Sequence, residues 1–320
     1  MGFTEGHIAE EKLFQGKVFP KTLVPSEAGK SGLSDLVEAV KAERELISKA
    51  LAEHGAVLFR GFDVGSAEDF SRVVNSLGSE EFSYNGPADR IKLADRVYTA
   101  NAVPLDINIP FHHEMAQIRT YPPKIIFFCM TAPPEGGQTS IIPSNVIVEK
   151  LQEKKPEAVK KFEQDGVKIV LHTRAAFKID GSDSTKGSFV WQRMLKTQDQ
   201  LEAEKRAMQM LAINSANFKD DGSADFVFGP MNPIRDINGK RIMFNNILPY
   251  ETAERGQYVS FGDGEPLPSD VIDAMNEILA ENSVDVGWRK GDVLLVDNLA
   301  VQHARRAGKP PRAVYVSLSN

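Results

Sequence analysis

The order of strand and helix patterns along the 320-residue chain is the feature that most limits its fold. Runs rich in β-branched and aromatic residues, separated by Gly or Pro, predict strands at 56–60, 96–100, 124–131, 138–142, 241–244, 292–297 and 312–317. Helical spacing predominates in the middle, so a helical insert is expected at about 144–240. No Pro-, Gly- or Ser-rich linker divides the chain, and strands on both sides of the insert should complete one sheet system. We therefore predict a single domain over residues 1–320, mainly β with flanking helices.

The predicted helices have recognisable start residues. Apolar residues at helical spacing predict one helix over 33–54. Ser66 and Asp69 form a capping box at the start of the next helix. Within the insert, helices are expected at 146–151, 156–164 and 198–211. The last of these should be capped by Thr197.

Composition excludes several classes of function. The chain has 38 Lys and Arg against 44 Asp and Glu, a net charge of −6, whereas a general nucleic-acid binder needs a basic face. A single cysteine, Cys129, excludes an internal disulfide and any cysteine-based zinc or iron–sulfur site. No signal peptide is readable, and the longest uncharged apolar stretch, 125–134, is too short to cross a bilayer. We expect a cytoplasmic protein without nucleic-acid or membrane partners, and its oligomeric state stays open.

A cluster of potential metal ligands lies at 111–115, with the sequence Phe-His-His-Glu-Met. Side chains at i and i+2 of an extended strand share a face, so His112 and Glu114 could bind one ion while His113 points away. With a second histidine they would form the two-His, one-carboxylate triad typical of non-haem iron. His303 is the best candidate, because it follows the predicted strand 292–297. Composition alone gives about one His-x-Asp/Glu pair by chance, so these residues could equally be ordinary strand residues.

Three blocks in fixed order give the cluster a context. They are Pro-Phe-His-His-Glu-Met at 110–115, Pro-Glu-Gly-Gly-Gln-Thr at 134–139, and Gly-Asp-Val-Leu-Leu-Val-Asp-Asn at 291–298, which leads to His-Ala-Arg at 303–305. In these blocks the chain resembles the Fe(II)- and 2-oxoglutarate-dependent oxygenases of the taurine dioxygenase and clavaminate synthase family. The likeness runs from about residue 55 to the C-terminus and is greatest with plant clavaminate synthase-like proteins.

The resemblance implies a fold, cofactors and site residues. The fold is a double-stranded β-helix, or jelly roll, and the cofactors are Fe(II), 2-oxoglutarate and dioxygen. His112, Glu114 and His303 match the family's iron ligands. Thr139 matches the hydroxyl that binds 2-oxoglutarate, and Arg312 the arginine that pairs with its distal carboxylate. The function implied is oxidation of a small organic substrate with release of succinate and carbon dioxide.

Two positions bear on the reaction and the substrate. Related radical halogenases replace the triad carboxylate by a small residue, so Glu114 favours hydroxylation, desaturation or ring closure. Several family members carry a second arginine four residues after the cosubstrate arginine, where it holds an anionic substrate. Val316 occupies that position here. The substrate is therefore either not anchored by an anion at that point or held by another element.

Two alternatives to this enzyme remain open. One is a family member that binds a ligand without turnover, and the other a zinc hydrolase using the same three ligands. Further residues could line a pocket, although ordinary structural roles explain them as well. They are Arg305 and Arg306 as binding residues, Asn101 and Asn245 as pocket-facing residues, and Trp288 and Phe244, for which a place in the core is predicted.

Overall fold

The computed structural model describes residues 2–83, 90–100, 103–116, 120–174, 190–244, 247–251 and 255–320. Its helices are α1 (Leu33–Ala42), α2 (Arg44–His54), α3 (Ala67–Ser76), α4 (Ser144–Lys154), α5 (Pro156–Asp165), α6 (Trp191–Met194), α7 (Gln200–Met210) and α8 (Ser269–Asn282). No helix within these ranges is long and apolar enough to cross a membrane.

The largest sheet joins strands from both ends of the chain. Its order is β1 (Phe3–Gly6), β4 (Lys21–Pro25), β5 (Ala56–Phe59), β19 (Val293–Asp297), β9 (Lys124–Thr131), β21 (Ala313–Ser319), β7 (Val97–Thr99) and β6 (Lys92–Ala94). The predicted strand at 124–131 is confirmed to the residue, and β5, β19 and β21 confirm three others within one or two residues. Distant segments thus complete one sheet, as the strand order predicted.

A second sheet of four strands packs on one face of the first. Its order is β18 (Val284–Val286), β10 (Thr139–Pro143), β20 (Val301–Arg305) and β8 (Ile109–His112). Buried residues of both sheets form one apolar cluster, to which β9 contributes Phe127 and Cys129 and β10 contributes Ile141. The opposite face of the large sheet is covered by α1, α2 and α3. Because its central strands are buried on both faces, they read as continuous apolar runs without alternation.

The insert is only partly helical, which corrects the prediction for 144–240. Besides α4 to α7 it contains β11 (Val167–Thr173), β12 (Ile213–Phe218), β13 (Ala224–Met231) and β14 (Ile234–Ile237). The first three form a sheet with β17 (Arg255–Phe261) and β16 (Tyr250–Glu251), and β14 pairs with β15 (Lys240–Met243). Residues of β11 alternate between buried and partly exposed positions, the two-residue period of a half-buried strand. The remaining strands, β2 (Lys12–Phe14) and β3 (Lys17–Phe19), form a hairpin.

Three local predictions also need correction or confirmation. The helix predicted over 33–54 is two helices, since Glu43 leaves helical geometry at φ −113° without any Gly or Pro to mark the break. The cap of α7 is Asp199, not Thr197: the Asp199 carboxylate accepts a hydrogen bond from the Glu202 backbone N–H at 2.8 Å. The cap of α3 is confirmed, because Ser66 Oγ accepts from the Asp69 N–H at 3.0 Å.

Candidate metal centre and adjoining cation pocket

Three side chains that can bind a metal converge between the two sheets. One nitrogen or oxygen atom from each of His112, Glu114 and His303 lies within 4.8 Å of the others. His112 ends β8, and it pairs directly with His303 in the middle of β20, so the two rings lie 4.3 Å apart. Glu114 follows in the turn after β8. Pairing of adjacent strands therefore brings together residues that are 189 to 191 positions apart.

The route by which Glu114 reaches the cluster differs from the prediction. The strand ends at His112, so the carboxylate comes from a turn and not from the i+2 position of an extended strand. His113 does point away: it is buried, its Nε2 lies 3.0 Å from Ser144 Oγ, and its ring stacks on Phe244 at 4.6 Å. Burial lowers the pKa of His113 to about 3, and the electrostatic influence of the neighbouring His112 and Arg235 acts in the same direction. His113 is therefore a neutral core residue.

Both histidines of the cluster are prepared to act as neutral ligands. His112 Nδ1 lies 2.8 Å from the Pro110 carbonyl, so Nδ1 carries the proton and Nε2 is the ring nitrogen with metal-binding character. Burial holds the pKa of His303 well below its ordinary value, so this ring is neutral at physiological pH. His303 Nδ1 is buried and has no hydrogen-bond partner within the described ranges. The other ring nitrogen, Nε2, faces the Glu114 carboxylate and is the one placed to bind a metal.

Glu114 is held at three points. Its Oε1 accepts a hydrogen bond from Arg90 Nη2 at 2.5 Å, while its Oε2 lies 3.8 Å from His303 Nε2. Its backbone N–H donates to Asn298 Oδ1 at 2.7 Å, and Asn298 Nδ2 donates back to the Glu114 carbonyl at 3.1 Å. Two facial ligand atoms at about 2.0–2.2 Å from one ion lie about 3 Å apart, so Oε2 and the His303 ring need to approach each other by about 1 Å to bind the same metal.

The donor set fits Fe(II). Two neutral imidazoles and one carboxylate form the facial triad that leaves adjacent positions of ferrous iron open. The residues His112, Glu114 and His303 could hold the ion, and Arg90 would balance part of the carboxylate's charge.

A second group of residues, the cation pocket, adjoins this cluster and consists of Gly137, Thr139, Trp288 and Arg312. Arg312 Nε donates to the Gly137 carbonyl at 2.8 Å, and its Nη2 lies 3.5 Å from Thr139 Oγ1. Thr139 pairs with Arg305 in β20, two residues from His303 and on the same face. Diagonal neighbours of this kind lie about 7–8 Å apart, so one short dicarboxylate could reach both the metal and Arg312.

The guanidinium of Arg312 fits an anionic ligand. Within the described ranges no carboxylate lies within ion-pair distance of it. Burial, assisted by the charge of Arg305, lowers the pKa of Arg312 to about 10, so the group remains positive at neutral pH. A half-buried cation without a counter-ion is a site for a carboxylate, which an arginine can bind with two parallel hydrogen bonds.

The neighbouring arginines already have protein partners. Arg306 Nε lies 3.1 Å from both carboxylate oxygens of Asp285. Arg305 is buried and donates to three carbonyls of one loop, those of Val103, Pro104 and Ile107. These partners favour Arg312 over Arg306 as the anion-binding arginine, and they make Arg305 the anchor of the loop before β8.

Val316 offers no anion site. It is 1% exposed in the centre of β21, where it pairs with Phe127 and Tyr98. Cys129 is buried in the same cluster, and burial raises the pKa of its thiol to about 12, so it behaves as a small hydrophobic residue.

Sequence reasoning missed two residues that contact the site, Arg90 and Asn298, and assigned a third, Trp288, to the core alone. Arg90 and Asn298 touch Glu114, and Trp288 touches Thr139. Asn298 ends one of the recognised blocks, which is a signal that could have drawn attention to it, whereas nothing local marks Arg90. Trp288 and Phe244 are buried, as predicted, yet Trp288 also carries a hydrogen bond of the cation pocket. Asn101 and Asn245 lie outside the described residues.

Two known proteins are similar to this chain in sequence along most of its length. A clavaminate synthase-like protein from Arabidopsis thaliana is 38% identical over 327 residues, covering 98% of this chain and 97% of that protein. Dapdiamide synthesis protein DdaC from Enterobacter agglomerans is 28% identical over 290 residues, covering 85% of this chain and 84% of that protein.

Solved structures share the fold at low sequence identity. PvcB from Pseudomonas aeruginosa, described as an Fe, alpha-ketoglutarate dependent oxygenase from an isonitrile synthetic pathway, matches with a TM-score of 0.54 at 14% identity, covering 94% of this chain and 86% of that one. A taurine dioxygenase from Burkholderia xenovorans matches with a TM-score of 0.52 at 13% identity, covering 100% of this chain and 90% of that one.

The family model described as taurine catabolism dioxygenase TauD, TfdA family matches residues 21–317, which is nearly the whole chain. The chain therefore belongs to the TauD/TfdA family, as its motifs predicted, and its cofactors are Fe(II), 2-oxoglutarate and dioxygen.

Proposed function

We propose that this oxygenase oxidises a C–H bond of a small organic molecule and couples that step to the conversion of 2-oxoglutarate into succinate and carbon dioxide. The observation that carries the proposal is the convergence of His112, Glu114 and His303, together with the half-buried Arg312, which has no counter-ion within the described ranges. The redox balance closes: 2-oxoglutarate and the substrate each give up two electrons, and dioxygen accepts all four. Bound Fe(II) supplies the activation of dioxygen, which the side chains of the chain cannot provide.

The protein's own residues would bind and orient the reactants. His112, Glu114 and His303 would hold the metal, while Arg312 and Thr139 would hold the distal carboxylate of 2-oxoglutarate. Phe127, whose ring lies 5.3 Å from that of His303, would help to exclude water from the metal. We also propose that the eight- and four-stranded sheets form the double-stranded β-helix of the family within a single domain.

The reaction type follows from Glu114. A carboxylate in the triad occupies the place that a halide takes in the related halogenases, so we propose hydroxylation, desaturation or ring closure. The match to a dapdiamide synthesis protein supports a small-molecule, specialised-metabolite substrate. Val316 gives such a substrate no charged anchor, so its contacts must come from other elements.

The test is succinate release that requires both Fe(II) and 2-oxoglutarate. Uncoupled turnover, in which 2-oxoglutarate is consumed without a prime substrate, can be measured before the substrate is known. His112→Ala and Glu114→Ala should abolish succinate release, whereas His172→Ala should not, because His172 pairs with Asp225 in the insert sheet. Full succinate release in either triad variant would overturn the assignment.

The two alternatives predict different results. A ligand-binding family member would bind stoichiometric iron and release no succinate with any candidate substrate. A zinc hydrolase would not bind 2-oxoglutarate, and Arg312 would then have no cosubstrate carboxylate to bind. Calorimetric titration with 2-oxoglutarate in the presence of Fe(II) separates these outcomes.

A further inference from the structure

The hydroxyl of Thr139 has an unusual set of partners. Trp288 Nε1 donates to Thr139 Oγ1 at 3.1 Å in a buried contact, and Arg312 Nη2 approaches the same oxygen at 3.5 Å. An indole N–H and a guanidinium are donors only, so both partners use lone pairs of the hydroxyl and neither uses its proton. Within the described ranges no acceptor receives that proton, although Thr139 is only 4% exposed.

The position of Trp288 is fixed by a buried ion pair. Arg60 bonds to both carboxylate oxygens of Asp292, at 3.0 and 2.6 Å, and also donates to the Gly287 carbonyl at 2.6 Å. Asp292 in turn accepts from the Arg289 backbone N–H at 2.7 Å. The residues immediately before and after Trp288 are thus held by one charged pair, and the indole N–H has little freedom to turn away from Thr139.

We infer that Trp288 is a positioning residue of the 2-oxoglutarate site, which orients the Thr139 hydroxyl so that its proton points at the cosubstrate carboxylate. The inference rests on the proposed function. With its lone pairs directed toward Trp288 and Arg312, the hydroxyl can only donate to a third group. A hydroxyl donor and a cation lie side by side, and both match the oxygens of one carboxylate.

The central experiment measures the dissociation constant of 2-oxoglutarate by anaerobic calorimetry on the Fe(II)-loaded protein. Trp288→Phe keeps an aromatic ring in the core and removes only the donor. Loss of one neutral hydrogen bond predicts binding about five- to tenfold weaker. Thr139→Val removes the hydroxyl and should weaken binding at least as much.

The double variant separates positioning from a general structural effect. If Trp288 acts through Thr139, then Trp288→Phe should add no further weakening in the Thr139→Val background. Multiplicative effects, or unchanged affinity in Trp288→Phe, would overturn the inference. Failure of the parent protein to bind 2-oxoglutarate would instead overturn the proposed function, so the two failures are distinguishable.

A fluorescence measurement keeps the inference testable even if Trp288→Phe does not fold. The chain has two tryptophans, and Trp191 lies in the separate core of the insert, where its Nε1 donates to the Gly222 carbonyl. In Trp191→Phe all tryptophan emission comes from Trp288, and it should change saturably as 2-oxoglutarate is added under anaerobic conditions. Emission that stays constant while calorimetry detects binding would contradict contact between Trp288 and this pocket.

Discussion

At the scale of single residues, the placement of Glu114 depends on a side chain that is not itself a ligand. Asn298 is fully buried, and its amide bonds to both the N–H and the carbonyl of Glu114 while also donating to the Pro122 carbonyl at 2.7 Å. The described residues of the turn after β8 make no β-ladder hydrogen bonds to a neighbouring strand. The Asn298 amide supplies the hydrogen bonds that such a strand would give to the Glu114 backbone. Glu114 lies beyond the end of β8, so no strand within the described ranges fixes its backbone. We therefore expect iron binding to depend on Asn298, which does.

The residue-scale prediction is that Asn298→Ala weakens Fe(II) binding about 10- to 100-fold, the usual effect of removing a group that orients a metal ligand. Unfolding free energy should also fall by about 1–3 kcal/mol, because buried backbone groups lose their partner. Asn282→Ala is the matched control, since Asn282 Nδ2 donates to the Ile278 carbonyl at the end of α8 and so stabilises a helix end instead of a metal ligand. Iron affinity should be measured on folded protein, and an unchanged value would limit Asn298 to a stabilising role.

At the scale of elements, the turn between β9 and β10 shapes the cation pocket. Gly137 has φ +65°, and a Cβ placed there would lie 3.1 Å from Arg312 Cδ and 3.0 Å from Pro133 Cγ. The glycine therefore allows both the left-handed backbone of the turn and the close approach of the Arg312 side chain. This geometry explains in physical terms why a glycine stands two positions before Thr139.

The element-scale prediction is that Gly137→Ala weakens 2-oxoglutarate binding by displacing Arg312, beyond its effect on folding. The left-handed backbone alone should cost about 1–2 kcal/mol of stability. Gly239→Ala provides the control, because Gly239 has φ +75° in the turn between β14 and β15 but nothing within 4 Å of its Cβ position. Both variants should lose similar stability, and only Gly137→Ala should raise the dissociation constant for 2-oxoglutarate. Equal affinities would mean that the turn does not control Arg312.

Elements with strong local signals could be predicted from the sequence, and those determined by tertiary contacts could not. The apolar run 124–131 and the capping box of α3 identify their elements directly. In contrast, β20 contains Gln302, His303 and Arg305, polar residues that read as a loop and are buried only because the fold gives them partners. The same holds for the site: motif spacing pointed to the three metal-ligand candidates, whereas Arg90 enters through long-range folding alone.

At the scale of the whole molecule, the large sheet is completed by β21, the last strand in the sequence. Along its length β21 pairs with β9, from Ala313 opposite Thr131 to Ser319 opposite Lys124, and on its other side it pairs with β7. It is therefore an interior strand, placed between β9, about 190 residues earlier in the sequence, and β7, about 217 residues earlier. The sheet, and with it the packing surface for β10 and β20, is incomplete until this strand is in place.

The whole-molecule prediction is that a chain ending at Arg312 does not fold. It would lose Val314, Val316 and Leu318 from the cluster between the sheets, about 5–9 kcal/mol of apolar burial at about 1.5–3 kcal/mol per side chain. That loss is comparable with the entire stability of a typical domain, about 5–15 kcal/mol, even before the hydrogen bonds to β9 and β7 are considered. A chain ending at Ser319 lacks only the exposed Asn320 and should melt cooperatively near the parent temperature. Thermal unfolding followed by circular dichroism compares the two, and a cooperative transition in the shorter chain would show that the two sheets can form without β21.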